Sequence, residues 1–314
     1  KLLETSINYP DIILPTLADH YFKHEDYINS YNTYMDWANR GFFKAKKWLD
    51  FANSLRKEES YLLSIDAYQF ALKQDLKGYQ FGEALLGLAK AFEDQIYPIE
   101  KNDIIPFFYG DNIFFEDAFQ VYSKISPNNL QSSLNIYDSI LVSIPESSLV
   151  TEAQYRLAEI QYRIIEDFDK AFTLYMTAFN QNPPTELKKK IILRIGDVLL
   201  AKGDFIQSIS FLDSMYTTYQ MPEIKNKLVE VHLFSGRPDT ALAIINEIFS
   251  TITPTNNTFN DLMEIRNIIH HYYNEVNETG KKAFIEYLKS EYFLKQRKIS
   301  EASEHLDYII KNNE

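Results

Sequence analysis

Two stretches near the start of the chain carry the same pattern of residues and decide the fold. The first reads Leu17-Ala18-Asp19-His20-Tyr21 and continues with Tyr27, Ser30, Tyr34 and Trp37. The second reads Phe51-Ala52-Asn53-Ser54-Leu55 and continues with Tyr61, Ser64, Tyr68 and Ala71. Each position recurs 34 residues later. A fixed period of about 20–50 residues indicates a repeat architecture, so the repeat is established before any motif is interpreted.

One position of the pattern holds a small residue in every copy along the chain. These residues are Ser30, Ser64, Ser133, Ala171, Ser208, Ala241 and Ala302. Four residues later each copy carries a large side chain, namely Tyr34, Tyr68, Tyr137, Tyr175, Leu212, Ile245 or Leu306. A spacing of four places both residues on one face of a helix. The small residue lets a neighbouring helix cross close to the backbone, and the large residue fills the space beside it.

The pattern resembles the tetratricopeptide repeat, whose length is about 34 residues. The resemblance implies an all-α fold, a right-handed superhelical solenoid of antiparallel helix pairs with about seven to eight repeats. We expect one domain over residues 1–314, because no long Gly/Ser linker or charge block divides the chain. The repeats are predicted near residues 12–40, 45–75, 82–145, 151–184, 187–220, 223–250 and 259–312, the last being degenerate and terminal. The helix over about residues 259–276 fits the template poorly and is either an extra element or the first helix of a degenerate unit completed by residues 281–296.

The third repeat is interrupted by an aromatic insertion at about residues 95–129. Its candidate surface residues are Phe107, Phe108, Tyr109, Phe114 and Phe115. Aromatic side chains are enriched in protein interfaces, so the insertion is a candidate contact surface for a partner. The alternative is that it folds back on the solenoid and adds to the local core, and both interpretations stay open.

Composition and charge exclude several classes of protein. Hydrophobic residues make up 45% and charged residues 24%, which is typical of a folded globular chain. The net charge of −12 opposes binding to the phosphate backbone of nucleic acids, which depends on clustered cations. No apolar run approaches the ~18 residues of a membrane-spanning helix, so no integral membrane segment is expected. Cysteine is absent, which excludes disulfides and thiolate metal sites in this chain.

The sequence contains no catalytic motif that would indicate an enzyme. It lacks a Gly-x-Ser-x-Gly elbow, a phosphate-binding loop and a His-Glu-x-x-His pair. His20 and His24 lie four residues apart on a predicted helix, but the sequence suggests no third ligand for a metal ion. We therefore predict that the protein has no enzymatic activity, no cofactor and no metal site.

Charged residues recur on either side of the Leu-small pair in three consecutive repeats. The pairs are Arg156 and Glu159, Arg194 and Asp197, and Lys227 and Glu230. The tetratricopeptide resemblance implies that these first-helix positions, together with Asn53, line a concave partner-binding groove. The alternative is that i, i+3 ion pairs only support their own helices, at about 0.2–0.5 kcal/mol each.

The resemblance does not extend to the clamp of Lys, Asn and Arg with which some members of the family hold a C-terminal carboxylate. The corresponding positions in the first two repeats offer Thr16, Asp19, Asp50 and Asn53. A carboxylate would meet acidic side chains where the clamp needs cations. The sequence therefore argues against an adaptor for chaperone tails.

These observations predict a scaffold that binds a protein or peptide partner in its groove, as part of a larger complex. Two alternatives stay open: an accessory, substrate-presenting region of a larger enzyme, or a solenoid that binds a small ligand or glycan. The repeat around Ala153-Gln154-Tyr155-Arg156 resembles those of bacterial envelope lipoproteins, and a start at Lys1 suits a processed precursor. A bacterial envelope or periplasmic location is therefore favoured over the cytoplasm.

Overall fold

The structure is a computed structural model that describes residues 9–96, 112–114, 125–296 and 298–312. Throughout these ranges the regular elements are helices, as the sequence predicts, and none of the described residues lies in a strand. Fifteen α-helices follow one another: α1 Pro10–Lys23, α2 Tyr27–Trp37, α3 Ala45–Lys57, α4 Tyr61–Leu72, α5 Gly78–Glu93, α6 Pro127–Ser143, α7 Ser148–Ile160, α8 Phe168–Asn180, α9 Thr185–Ala201, α10 Phe205–Tyr219, α11 Pro222–Phe234, α12 Pro238–Phe249, α13 Phe259–Ile269, α14 Glu278–Lys295 and α15 Ile299–Asn312.

The helices group into two compact units. Unit 1 comprises residues 1–101 and 122–154, and unit 2 comprises residues 102–121 and 155–314, each within the described ranges. Consecutive helices pack in pairs, α1 with α2, α3 with α4 and α5 with α6 in unit 1, and α9 with α10, α11 with α12 and α14 with α15 in unit 2. A single continuous solenoid over residues 1–314 stays a prediction. Within the described ranges, no helix is both long and apolar enough to cross a membrane.

The turn between the two helices of a pair has the same construction in five repeats. One residue of each turn adopts a left-handed backbone conformation, with φ between 59° and 74°: Glu25, Glu59, Glu166, Gly203 and Gly236. The next residue donates its backbone N–H to a carbonyl five or six residues earlier, which closes the first helix. In three turns that next residue is an Asp whose carboxylate caps the second helix. The sequence thus ends one helix and begins the next within three residues.

The small residue of the second helix lies where the two helices of a pair cross. All seven predicted positions are buried. Four of them are serines, and each donates its hydroxyl to the backbone carbonyl of the small first-helix residue: Ser30 to Ala18, Ser64 to Ala52, Ser133 to Ala89 and Ser208 to Gly196, at 2.8–3.3 Å. The prediction of close helix crossing is confirmed. The hydroxyl also gives the buried carbonyl a second hydrogen bond, which the size of the residue alone does not predict.

Where the large residue four positions later is a tyrosine, its hydroxyl ties the second helix to the first by a hydrogen bond. The Tyr34 hydroxyl donates to the Asp19 carboxylate and the Tyr68 hydroxyl to the Asn53 side-chain carbonyl, both at 2.5 Å. In unit 2, the Tyr175 hydroxyl donates to Glu159, also at 2.5 Å. Burial is the main cause that raises the pKa of Tyr34, Tyr68 and Tyr175. These hydroxyls therefore remain protonated donors at neutral pH.

The C-terminal segment departs from the regular succession of pairs. Helix α13 continues into a π-helical turn at His270–Asn274, and α14 then pairs with α15. Helix α14 also packs against α11, so it takes the place of a first helix, and Ser290 and Ala302 are both buried. Helix α13 is consequently an additional element. The predicted final repeat at 259–312 contains this extra helix as well as the terminal pair.

Candidate functional site

The charged first-helix residues of unit 2 form one continuous chain of ion pairs, which we call the ladder. Its members alternate in sign: Arg163, Glu159, Arg194, Asp197, Lys227, Glu230 and Lys295. Adjacent members lie 2.5–3.7 Å apart, apart from the close Lys227–Glu230 contact. Five of the seven were predicted as groove residues from the sequence. The others, Arg163 and Lys295, were missed because they fall outside the Leu-small pattern.

The ladder connects different helices, and this is its main structural difference from the prediction. Arg194 of α9 contacts Asp197 on its own helix and Glu159 on α7, with nitrogen–oxygen distances of 2.9 and 2.8 Å. Lys227 of α11 contacts Asp197 of α9 at 2.5 Å. Ion pairs spaced i, i+3 on one helix therefore account for only some of the contacts in the ladder. The remaining contacts join consecutive first helices and fix them relative to one another.

The members of the ladder are largely withdrawn from solvent. The side chain of Glu230 is 5% exposed and that of Asp197 is 13% exposed. Burial works to raise the pKa of both carboxyls, but attraction to Lys227 and, for Asp197, to Arg194 lowers the pKa below the usual value. Burial likewise disfavours charge on Lys227, whereas Asp197 and Glu230 raise its pKa. Asp197, Lys227 and Glu230 consequently remain charged at neutral pH.

The other two predicted groove residues have different surroundings. Arg156 is half-buried on α7. Asn53 lies in unit 1 on α3 and accepts the hydrogen bond from Tyr68. Its amide therefore helps to hold α3 and α4 together. The partner-binding role of all these residues stays a prediction.

An open pocket of about 320 Å³ lies between α1 and α3 in unit 1. It is lined by Asp19, Phe22, Lys23, Tyr34, Lys47, Asp50, Phe51 and Ser54. The rings of Phe22 and Phe51 are 6.1 Å apart and nearly perpendicular, and they supply apolar contact area. Lys23 and Asp50 are exposed at the rim. The pocket thus combines an apolar floor with accessible charges of both signs.

The charges of this pocket are held much more loosely than those of the ladder. Lys47 lies 3.8 Å from Asp19, and its ammonium group is 5.7 Å from the centre of the Tyr34 ring. The side chain of Asp19 is 53% exposed and that of Lys47 is 41% exposed. An exposed pair of this kind is worth at most about 1 kcal/mol. The Lys47 ammonium group can therefore leave Asp19 at little free-energy cost when a ligand arrives.

Between residues 97 and 124 of the aromatic insertion, the structure describes residues 112–114. Four of its five candidate residues, Phe107, Phe108, Tyr109 and Phe115, lie outside the described residues. Phe114 is described and is 2% exposed, as part of the core of unit 2. For this residue the structure supports the interpretation that the insertion adds to the core. Phe114 is therefore unsuited to be an exposed anchor for a partner.

His20 and His24 offer two nitrogen ligands for a metal ion. The rings of His20 and His24 lie side by side, with centroids 4.5 Å apart. Across the described parts of the chain, no group of three or more His, Cys, Asp or Glu side chains is arranged to hold a metal ion. Two exposed imidazoles on one helix do not define a zinc site, which has three or four protein ligands.

Comparison with known proteins supports a helical repeat fold. No protein-family model and no curated protein matches the chain. It is similar in structure to a tetratricopeptide repeat protein from Parabacteroides merdae, with 12% identity and a TM-score of 0.50 over 86% of this chain and 93% of that one. A second similar structure is YrrB, described as a TPR protein with an unusual peptide-binding site, at 12% identity and a TM-score of 0.45 over 71% of this chain and 92% of that one. A third is a thermophilic TPR protein of Thermus thermophilus, at 18% identity and a TM-score of 0.39 over 71% of this chain and 98% of that one. At these identities the similarity concerns the fold alone.

Proposed function

We propose that this chain, which has the tetratricopeptide repeat fold, is a non-catalytic scaffold that binds a segment of a partner protein. Repeat proteins stack their units so that equivalent helices present an extended surface, which suits them to protein interaction. A fold does not determine a function, so the function must be inferred from the chemistry of the surface. The observation that carries the proposal is the open pocket between α1 and α3, where charged and apolar groups are accessible together.

The chemistry of the pocket favours a peptide segment as its ligand. Phe22 and Phe51 offer a surface for one apolar side chain of the partner. Lys23 and Asp50, at the rim, are complementary to an acidic and a basic residue next to that side chain. A glycan or small-molecule site would be deeper and would contain fewer charges. The segment that fits best is therefore short and carries charges of both signs around an apolar anchor.

The ladder has a supporting role in this proposal. A ligand that paired with Glu230 or Asp197 would first have to separate buried ion pairs, which costs several kcal/mol. We therefore place recognition in unit 1 and assign the ladder to the integrity of unit 2. An envelope location, membership of a larger complex and an accessory role beside an enzyme stay predictions from the sequence.

A selection from a displayed library of random peptides tests the proposal. Peptides enriched on the wild type are measured by fluorescence anisotropy against the double variant Lys23→Glu/Asp50→Lys, which keeps the net charge and reverses both rim charges. We expect affinity to fall at least about tenfold, which corresponds to 1.4 kcal/mol.

The matched control is Asp75→Lys/Lys77→Glu, which reverses an exposed pair elsewhere in unit 1. This variant should bind the selected peptides as the wild type does. Equal binding by the pocket variant and the wild type would refute the proposed site, as would an equal loss in both variants.

A further inference from the structure

Three residues of the insertion dock on unit 2 in a manner that resembles a bound peptide. Asn112 and Phe114 are 1% and 2% exposed, whereas Ile113 between them is 37% exposed. The segment therefore directs two side chains into the protein and one outward. It reaches α13 from a position 149 residues earlier in the chain.

The side chain of Asn112 is recognised by α13 through specific hydrogen bonds. Its amide nitrogen donates to the Glu264 carboxylate at 2.8 Å and to the backbone carbonyl of Asp261 at 3.2 Å. Its amide oxygen accepts the backbone N–H of Phe114 at 3.0 Å, which fixes the turn. An apolar side chain or an acid at this position could not donate these bonds. The position therefore selects an amide.

The backbone on either side of Asn112 contributes further contacts. The Ile113 backbone N–H donates to the Asp261 carboxylate. The Phe114 carbonyl lies 3.4 Å from the Lys295 ammonium group on α14. Phe114 itself belongs to the same apolar cluster as Leu262, Ile265 and Leu288. The segment thus contacts α13 and α14 through one amide side chain, two backbone groups and one aromatic ring.

We propose that this cleft between α13 and α14 is a binding site for an Asn-x-Phe segment, which the chain's own residues 112–114 occupy until a partner protein supplies the same motif. The recognition is local, since the contacts with α13 and α14 described here come from three consecutive residues of the occupant. Such a short motif can be presented equally well by another protein. This site is separate from the pocket of unit 1, and it does not depend on the function proposed for that pocket.

Occupancy by the chain itself makes the site conditional. A partner segment competes with an occupant that is always present. The apparent affinity of the partner segment is therefore its intrinsic affinity multiplied by the fraction of molecules in which the cleft is empty. A cleft that is empty in one molecule out of ten weakens apparent affinity tenfold. The insertion thus acts as an internal competitor, and partner binding releases it.

The test uses the full chain with Phe114→Ala, which removes the internal anchor. The probe is a fluorescent peptide with blocked ends that contains Asn-Ile-Phe, and the control peptide has Ala in place of both Asn and Phe. We expect the variant to bind the probe at least tenfold more tightly than the wild type does, and the control peptide not at all. Adding Glu264→Ala to the variant should weaken binding of the probe, because the Asn amide then loses one of its two acceptors on α13.

Folding of the variant is followed by circular dichroism, so that each result is decisive. If Phe114→Ala folds and does not bind the probe, or binds both peptides equally, the proposal is wrong. If the variant is partly unfolded, the probe should restore its helical signal and the control peptide should not. Failure of the probe to restore that signal would also overturn the proposal.

Discussion

Asp19 in unit 1 and Glu230 in unit 2 occupy the same position of the repeat, two residues after the Leu of the first helix, yet their surroundings are opposite. Asp19 is half-exposed at an open pocket and has one loose cationic neighbour. Glu230 is buried between Lys227 and Lys295. The repeat template fixes the direction of a side chain, whereas the residues of adjacent repeats determine whether that side chain is free. We infer that unit 1 keeps its first-helix charges for recognition and that unit 2 uses them for stability.

Replacing a buried cation of the ladder should have the largest effect. Lys227→Met leaves Asp197 and Glu230 without their shared partner in a poorly hydrated site. Breaking a buried pair by removing one member costs about 3–5 kcal/mol. We expect a loss of this size in the free energy of unfolding measured by urea titration.

The control is Lys23→Met, which makes the same substitution at the exposed rim of the pocket. Surface substitutions of this kind change the free energy of unfolding by no more than about 0.5 kcal/mol. A Lys227→Met protein as stable as the Lys23→Met protein would remove the distinction between the two units.

A second substitution tests whether the core of unit 1 is tightly packed, although its surface carries an open pocket. Gly87 on α5 faces the ring of Tyr68, and a Cβ at Gly87 would overlap that ring. Overpacking of this kind costs about 1–3 kcal/mol, so Gly87→Ala should lower the midpoint of urea unfolding. Combining it with Tyr68→Phe should leave most of the loss, because the clash involves the ring carbons as well as the hydroxyl. An unchanged midpoint would show that the Tyr68 ring can move aside freely.

The ladder also predicts how stability depends on pH. The pKa values of Asp197 and Glu230 are lowered in the folded state from the usual 3.8 and 4.5, so these carboxyls stabilise the fold above those values. As pH falls through the lower folded-state pKa values, the contribution is lost. The urea midpoint should therefore fall between pH 6 and pH 3, and fall less in the double variant Asp197→Asn/Glu230→Gln.

Asp261 provides a control of opposite sign for the pH titration. Its pKa is raised, chiefly by burial, so its ionisation opposes folding as pH rises. Asp261→Asn should make the acid-induced fall steeper. The same pH dependence in all three proteins would mean that the ladder carboxyls do not govern acid stability.

The turns give the smallest expected effect and compare two repeats of unit 2 at a matched position. Gly203 has a φ of 74° and Glu166 has a φ of 60°. Only glycine adopts this left-handed conformation without strain. Gly203→Ala should lower the unfolding free energy by about 1 kcal/mol. Glu166→Gly should change the unfolding free energy by less, because the relief of backbone strain and the added entropy of the unfolded chain act in opposite directions. Thermal unfolding measures both; a larger loss from Glu166→Gly than from Gly203→Ala would contradict this account of the turn.

The sequence predicts the helix pairs well because their determinants are local. Small residues such as Ser64 and large ones such as Tyr68 mark the crossing of two helices that are adjacent in the chain. The extra helix α13 was not resolved from the pattern, since its periodicity is compatible with either a degenerate repeat or an additional element. The π-helical turn at His270–Asn274 was not predicted from the sequence either.

The functional surfaces were predicted less completely because they depend on contacts between distant residues. The sequence placed Arg194 beside Asp197, but it did not show that Arg194 reaches Glu159, which lies 35 residues earlier. That spacing is close to one repeat, so a search for opposite charges one repeat apart would have found the ladder. Asn112 and Glu264 had no such signal, since they lie 152 residues apart and belong to no shared motif.

The most direct test of the contrast between the units compares Asp19→Ala with Glu230→Ala in urea unfolding monitored by circular dichroism. The two variants remove a carboxylate from the same position of the repeat. We predict that Glu230→Ala loses about 3–5 kcal/mol because Lys227 and Lys295 are left without it. Asp19→Ala should lose less, about 1.5–3 kcal/mol, because it removes the charged acceptor of the Tyr34 hydroxyl but leaves the exposed Lys47 solvated. Equal losses would contradict the assignment of one charged surface to stability and the other to recognition.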